Sequence, residues 1–180
     1  MSFRRRPGRV ANPVLWLPGP LLAQITEEGE HHAPLETGGM LLGWRHELAI
    51  VVTSQVPAGP GAKRSPQSFT PDGDWQQRRL DEAYEQSGRT VTYLGDWHSH
   101  PRGSGRPSPI DRKTAAAVAA EPMARTCTPV TMILGRSHPR RRHWRARTFL
   151  LRNGSFRRIR LTVYTPVDEQ SELAGLAARH

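Results

Sequence analysis

The sequence predicts one mixed α/β domain, and three observations support that fold class. The chain has 180 residues, enough for one compact domain at roughly 150 residues per domain. Hydrophobic residues make up 36%, and with the 16 glycines the apolar share approaches that of globular proteins. Helical and β-rich segments alternate along the chain without a repeated period. These features exclude a wholly disordered chain and a repeat protein.

The first half of the chain predicts two helices, a hairpin and a long loop. Leu21, Leu22 and Ile25 recur at helical spacing, and Gly29 is a helix stop. Two apolar, β-branched runs at 38–45 and 47–56 are joined by a tight turn and form a hairpin. Residues 57–68 are rich in glycine, proline and serine, typical of a loop, and a helix capped by Asp72 or Asp74 runs to Gly88.

The second half predicts a strand, a bend, a helix and three more strands. A β-rich run at 90–97 leads to His98, and a glycine-rich and proline-rich bend follows. Ser108 and Pro109 open a helix that ends near Glu121. Strands are expected at 128–134, 143–151 and 155–163. We therefore expect an extended segment at 1–18, the domain at 19–165 and a C-terminal tail at 166–180 with a peripheral helix from Asp168.

Compartment and membrane association follow from simple counts. Pro13 and Pro18 interrupt the apolar stretch that a signal peptide keeps continuous. No apolar run reaches the ~18 residues of a membrane span. The single cysteine, Cys127, forms no internal disulfide and is expected in the core. We expect a cytoplasmic protein without membrane contact.

The net charge of +10 favours acidic partners. Arginines are concentrated between Arg136 and Arg160, interleaved with aromatic residues and without an acid. Such a segment is typical of a face that binds nucleic acid or an acidic protein. It is equally typical of a solvated outer face, because arginines two apart on a strand point to the same side. The solvated face is the favoured interpretation, and nucleic acid is an alternative partner.

The segment WHSHPRGSGRPSPID combines four residues that fit a metal site. His98 and His100 are two apart, so both imidazoles project to one side of an extended segment. The glycine-rich bend turns the chain back and Asp111 lies in the first turn of the next helix. Two histidines and an aspartate suit zinc and leave a fourth position for water, as in catalytic sites. Taken alone, Ser108 and Asp111 also form an ordinary helix-capping pair.

The histidines of HSH are followed by seven residues, a serine, two residues and an aspartate. This order resembles the JAMM signature of the JAB/MPN metalloprotease family. ETGGMLLG, from Glu36 to Gly43, resembles the glutamate-bearing segment of that family. The resemblance covers roughly residues 20–135. It implies a curved mixed sheet flanked by helices, with cytidine-deaminase-like layering. It also implies one zinc ion held by His98, His100 and Asp111.

The resemblance further implies roles and partners. Glu36 would be the general base and then the general acid, and Ser108 would donate a hydrogen bond to the oxyanion. The substrate would be the bond after the C-terminal glycine of a ubiquitin-like protein or its conjugate, with activating or conjugating enzymes as further partners. Deconjugation in antiviral defence ranks above processing of sulfur carriers. The alternative is a DNA-repair-associated or nucleic-acid-binding member of the same fold; Ser99 between the histidines favours the peptidase branch.

Overall fold

The computed structural model describes residues 12–136 and 143–166. Within them the strands are β1 (Val14–Pro18), β2 (Gly38–His46), β3 (Ala49–Pro57), β4 (Lys63–Arg64), β5 (Phe69–Thr70), β6 (Thr92–His100), β7 (Val130–Arg136), β8 (Trp144–Arg152) and β9 (Ser155–Tyr164). The helices are α1 (Gly19–His32), α2 (Gly73–Gln86) and α3 (Pro109–Ala120), and a 3-10 turn spans Pro122–Ala124. None of these helices is long and apolar enough to cross a membrane.

Seven strands form a closed barrel in the order β1-β3-β2-β6-β7-β8-β9, while β4 and β5 pair with each other. The predicted mixed sheet is confirmed, since β1–β3, β1–β9 and β6–β7 are parallel and the other barrel pairs are antiparallel. Its shape differs from the prediction, because the curved sheet closes on itself. Closure removes the exposed strand edges that an open sheet would leave.

Strand β1 closes the barrel, and the sequence analysis did not place this strand in the sheet. Val14 pairs with Ala49 of β3 on one side and with Arg160 of β9 on the other. Leu15 and Leu17 are fully buried in the barrel. The end of the predicted segment at 1–18 is thus extended. This end lies in the barrel, whereas the domain was expected to begin at residue 19. A five-residue strand with distant partners on both sides has no local signature.

The barrel interior is the hydrophobic core. Alternate residues of the strands point inward, including Leu15 and Leu17 of β1 and Met132 and Leu134 of β7. Helix α1 packs against the barrel with Leu21, Ile25 and Gly29 buried. A Cβ on Gly29 would lie 2.8 Å from Leu134 Cδ2, so glycine allows this close approach.

Most predicted elements are confirmed with small shifts of their ends, because they depend on local spacing. The hairpin, both capped helices and the three last strands are present, and Asp72 rather than Asp74 caps α2. The loop at 57–68 includes the short strand β4. The prediction for Cys127 is wrong: the residue is exposed, because it lies in the connection before β7 begins at Val130. The peripheral helix expected from Asp168 lies outside the described residues.

Candidate active site

Strand β6 carries His98 and His100 on the outer face of the barrel. Trp97 and Ser99, which alternate with them, are fully buried. The two-residue period of a strand therefore puts both imidazoles on the same side. Their Nε2 atoms lie 3.1 Å apart, so the two rings are aimed at one point.

The turn between β6 and α3 brings Asp111 to the same point. Gly105 has φ +68°, and a Cβ on Gly135 would lie 2.3 Å from the Gly105 nitrogen, so this bend packs directly on β7. Ser108 then caps α3 in a complete capping box: its Oγ accepts from the Asp111 amide at 3.2 Å, and its amide donates to Asp111 Oδ2 at 2.5 Å. Ser108 and Asp111 therefore cap α3, and the same cap holds the Asp111 carboxylate close to the two histidines.

The three side chains fit a tetrahedral metal ion. Asp111 Oδ1 lies 3.2 Å from His98 Nε2, and Asp111 Oδ2 lies 3.7 Å from His100 Nε2. In a tetrahedral zinc site with ligands about 2.0–2.1 Å from the ion, neighbouring donor atoms are about 3.3–3.4 Å apart. The observed separations approximate these edges, and the three side chains are 10–13% exposed. His98, His100 and Asp111 could thus hold one ion.

The protonation states of this group suit metal binding. Burial and the neighbouring His98 lower the pKa of His100 to about 4. Burial raises the pKa of Asp111, but the hydrogen bond and charge of His98 and the hydrogen bonds of Ser108 outweigh it and lower the pKa to about 2. At neutral pH the imidazole of His100 is therefore an available donor and the carboxylate is ionised.

Glu36 is held at the end of this group by contacts far apart in the sequence. Its amide donates to Ser65 O at 2.8 Å. The next residue, Thr37, is buried and exchanges two hydrogen bonds with Ser99: Ser99 N donates to Thr37 O at 2.7 Å, and Thr37 N donates to Ser99 Oγ at 3.0 Å. Since Ser99 stands between the two histidines, these bonds fix Glu36 beside His100.

The environment of Glu36 changes its acidity. Burial raises the pKa of the carboxyl from 4.5 to about 7, His98 opposes the rise and Asp111 adds to it. A carboxyl with a pKa near neutrality can both accept and return a proton at physiological pH. Phe69 of β5 packs over Gly38, where a Cβ would lie 2.4 Å from Phe69 Cζ and from Trp97 O.

One cavity of about 650 Å³ contains the whole group. All five residues predicted from the sequence line it: Glu36, His98, His100, Ser108 and Asp111. The predicted loop at 57–68 and the bend after His100 both contribute to its walls, through Pro66, Gln67 and Ser68 and through Arg102 and Gly103. The cavity continues along β6 between α2 and α3, well beyond these five residues.

Two cavity residues were missed by sequence reasoning. Tyr93 donates a hydrogen bond to Asp96 Oδ2 at 2.8 Å, and both line the cavity. Burial raises the pKa of Asp96 to about 6, against the effects of the Tyr93 hydrogen bond and of His98. Burial and Asp96 also raise the pKa of Tyr93. The spacing that identified His98 and His100 extends back to Asp96, so the same alternation was the available signal.

Comparisons with known proteins agree with this geometry. The profile of the family described as Prok-JAB, prokaryotic homologs of the JAB domain, matches residues 18–147. The chain is 37% identical over 123 residues to the probable metalloprotease y4qB of Sinorhizobium fredii (strain NBRC 101917 / NGR234), covering 67% of this chain and 75% of that protein. It is 32% identical over 108 residues to the CD-NTase/cGAS isopeptidase of Escherichia coli (strain TW11681), covering 59% and 65%.

The fold has a solved counterpart. The solution structure of protein DSY2949 from Desulfitobacterium hafniense superposes with a TM-score of 0.66 at 19% identity, covering 86% of this chain and 96% of that one. At this identity the likeness concerns the fold alone. The family profile covers most of the described domain, including all five site residues. The chain therefore belongs to the family of prokaryotic JAB-domain proteins and is a hydrolase of the metalloprotease and isopeptidase type.

Proposed function

We propose that the protein is a zinc-dependent peptidase or isopeptidase that cleaves after the C-terminal glycine of a ubiquitin-like protein. The observation that carries this proposal is the convergence of two imidazoles and a carboxylate beside Glu36 at one end of a large cavity. The glycine-ended substrate follows from the JAMM resemblance, and the isopeptidase names of the relatives support it.

His98, His100 and Asp111 would hold the zinc ion. When bound, zinc supplies a Lewis acid that polarises the scissile carbonyl and lowers the pKa of bound water to about 7. The chain prepares the site by keeping His100 neutral and Asp111 ionised, as their pKa values of about 4 and about 2 require. The cap of α3 holds Asp111 in place, since Ser108 donates its amide to the carboxylate.

Glu36 carries the proton in this mechanism. Its carboxylate accepts a proton from the attacking water, and the resulting acid delivers that proton to the leaving amine. The water oxygen bonds to the carbonyl carbon first, and the carbon–nitrogen bond of the resulting tetrahedral intermediate breaks as the amine takes the proton, so no covalent enzyme intermediate is needed. The raised pKa of Glu36, about 7, suits both transfers.

Ser108 has a hydroxyl proton available for catalysis. Its Oγ accepts the amide hydrogen of Asp111, and its own O–H is a hydrogen-bond donor. Ser108 lines the cavity and would donate to the oxyanion of the tetrahedral intermediate, an interaction typically worth about 3–4 kcal/mol.

A glycine tail fits the approach to this site. Phe69 packs over Gly38, two residues after Glu36, and a Cβ on Gly103 would lie only 3.2 Å from His100 Cβ. A tail without side chains would not obstruct a narrow cleft between these segments. The relatives named CD-NTase/cGAS isopeptidase support a role with a conjugation system. A place in antiviral defence, activating or conjugating enzymes as partners and a cytoplasmic location are further parts of this proposal.

The test combines metal content, turnover and capture. We expect about one zinc per chain, and cleavage of a fusion whose ubiquitin-like part ends in glycine. Glu36→Gln keeps the zinc ligands but removes the proton carrier, so turnover falls about 10²- to 10⁴-fold while zinc content is unchanged. The exposed Glu27→Gln on α1 is the matched control and retains full turnover.

Glu36→Gln also serves as a substrate trap in cells of the native host. Mass spectrometry of the captured material should show a glycine-ended protein or its conjugate. Capture of nucleic acid or repair proteins without such a tail would contradict the proposal and favour the alternative function. The exposed arginines of β8 and β9, Arg145, Arg158 and Arg160, are the observation that keeps this alternative open.

A further inference from the structure

The cavity has a long arm that the proposed reaction does not use. Gly38 pairs with His98 and Met40 pairs with Asp96, so β2 and β6 run in opposite directions along the cavity floor. Glu36 precedes Gly38 and therefore lies at the His100 end, whereas Asp96 lies at the other end. Because Glu36 returns its proton to the leaving amine, the amine side of the substrate is at the His100 end. The glycine-ended tail then extends toward Asp96.

The charges along this arm are unusual for the protein. The chain as a whole has a net charge of +10. Among the described residues, the cavity lining contains the carboxylates of Asp96 and Glu121 on the tail side and no lysine or arginine there. Arg102, the lining residue with a permanent positive charge, follows His100 at the opposite end. The tail side of the cavity is thus an acidic region within a basic protein.

Asp96 offers an acceptor to this region. Tyr93 donates to its Oδ2, which fixes the carboxylate. Among the described residues, no hydrogen bond or ion pair engages Oδ1. Apolar residues line the same cavity, among them Leu80 of α2, Val118 of α3, Met123 of the 3-10 turn and Pro129 just before β7. A carboxylate below apolar walls matches a lysine or arginine, whose aliphatic stem contacts the walls while its charged head reaches the acid.

The position of Asp96 along β6 indicates which residue of the substrate tail it contacts. Asp96 and His98 are two residues apart on one face of the strand, a separation of about 6.5–7 Å. An extended peptide has nearly the same repeat, so a tail residue two positions before the terminal glycine lies over Asp96. We propose that Asp96, oriented by Tyr93, is a specificity residue that binds a lysine or arginine at the third position before the scissile bond. This inference rests on the proposed function, whose substrate class it narrows.

The test uses four peptides, acetyl-Leu-Xaa-Gly-Gly-aminomethylcoumarin, in which Xaa is arginine, lysine, leucine or glutamate. For the zinc-loaded enzyme we expect kcat/KM to be about 10- to 100-fold higher for the basic peptides than for leucine, as for a hydrogen bond to a charged group. Glutamate should be the poorest. In Asp96→Asn, which retains an acceptor for Tyr93, kcat/KM for the two basic peptides should fall to about the value for the leucine peptide.

Two further variants keep this test decisive. Asp81→Asn removes the same charge from an exposed position of α2 and should retain the preference. Tyr93→Phe leaves Asp96 unoriented and should reduce the preference at unchanged zinc content, which also covers the case in which Asp96→Asn fails to fold. A preference retained in Asp96→Asn, or equal cleavage of basic and leucine peptides by the wild-type enzyme, would overturn the inference.

A peptide-binding measurement distinguishes a wrong assignment of Asp96 from a wrong proposal of peptide cleavage. If the wild-type enzyme cleaves none of the four peptides, fluorescein-labelled peptides with the same residues and a free terminal glycine are bound to the zinc-loaded enzyme. Tighter binding of the basic peptides that Asp96→Asn abolishes would support the inference while the proposed cleavage is rejected. Equal binding of all four peptides would reject both.

Discussion

The cavity beside β6 and the outer face of β8 and β9 are two charged regions that differ in burial. We call the second region the arginine face; it comprises Arg145, Arg147, Arg158 and Arg160. Alternate residues of these strands, among them Ala146, Leu150 and Ile159, pack on or in the core. The arginines therefore point outward, and all except the half-buried Arg147 are exposed.

This difference in burial decides how the charges behave. Exposed charges on the arginine face are screened by water and salt, so each contributes little to stability. In the cavity the carboxyl groups lie in a medium that screens them less. The pKa of Glu36 rises to about 7 and that of Asp111 falls to about 2. Burial and fixed partners, rather than the number of charges, therefore identify the reactive region of this strongly basic protein.

The largest effect is expected from Asp111→Asn, which tests whether the carboxylate in the cavity holds the metal. The substitution removes an ionised ligand, so zinc affinity should fall by more than the about 100-fold typical for loss of a group that only orients a ligand. Peptidase activity should fall with it. Zinc content by mass spectrometry and a chelator competition measure the effect. Unchanged zinc content would show that Asp111 serves only as the cap residue of α3.

The second prediction separates the two roles of Ser108. Ser108→Ala should reduce turnover about 10²- to 10³-fold through loss of the oxyanion donor, and should lower the free energy of unfolding by about 1 kcal/mol through loss of the cap. Ser108→Gly should reduce turnover as much but stability by only a few tenths of a kcal/mol, since glycine is tolerated at this position. Kinetics and chemical unfolding test both. Turnover that follows stability in the two variants would reject the oxyanion role.

The third prediction concerns pH and the metal-free protein. The folded-state pKa of Glu36, about 7, lies above its ordinary value of 4.5. The stability contributed by the protonated carboxyl is therefore complete below pH 4.5 and is lost as pH rises through 7. Glu36→Gln stays neutral, so in a chelator it should be more stable than the wild-type protein by about 1–2 kcal/mol at pH 8, after a discount for solvent screening. The two proteins should match at pH 4; parallel curves at all pH values would contradict the assigned pKa.

The smallest effect is expected on the arginine face. Arg145→Gln and Arg158→Gln replace exposed side chains of β8 and β9. Such substitutions usually change stability by less than about 0.5 kcal/mol, and kcat/KM for a small peptide should stay within about twofold. A large loss of activity toward the small peptide would show that this face acts in catalysis. A loss confined to a whole protein substrate would instead identify it as a docking surface.

Much of the site was predictable from the sequence because its spacing is local. His98 and His100 share a face through the two-residue period of a strand, and Ser108 and Asp111 meet through the geometry of a first helical turn. The same alternation reaches Asp96, which the pattern therefore contained although it was not recognised. Arg136 shows the limit of pattern reading: it was counted within a solvated basic segment, yet its guanidinium pairs with Glu30 and stacks 4.4 Å from the Trp144 ring centroid.

By itself the sequence determined the helices, the hairpin, the convergence of His98, His100 and Asp111 and the resemblance to the family, because each depends on spacing within short segments. Only the tertiary structure decided the closure of the barrel, since β1 finds its partners at Ala49 and Arg160. It also decided the position of Glu36, through bonds between Thr37 and Ser99. Burial, and with it the pKa of Glu36 and the acidic arm of the cavity, arises from contacts between distant segments, which no local pattern encodes.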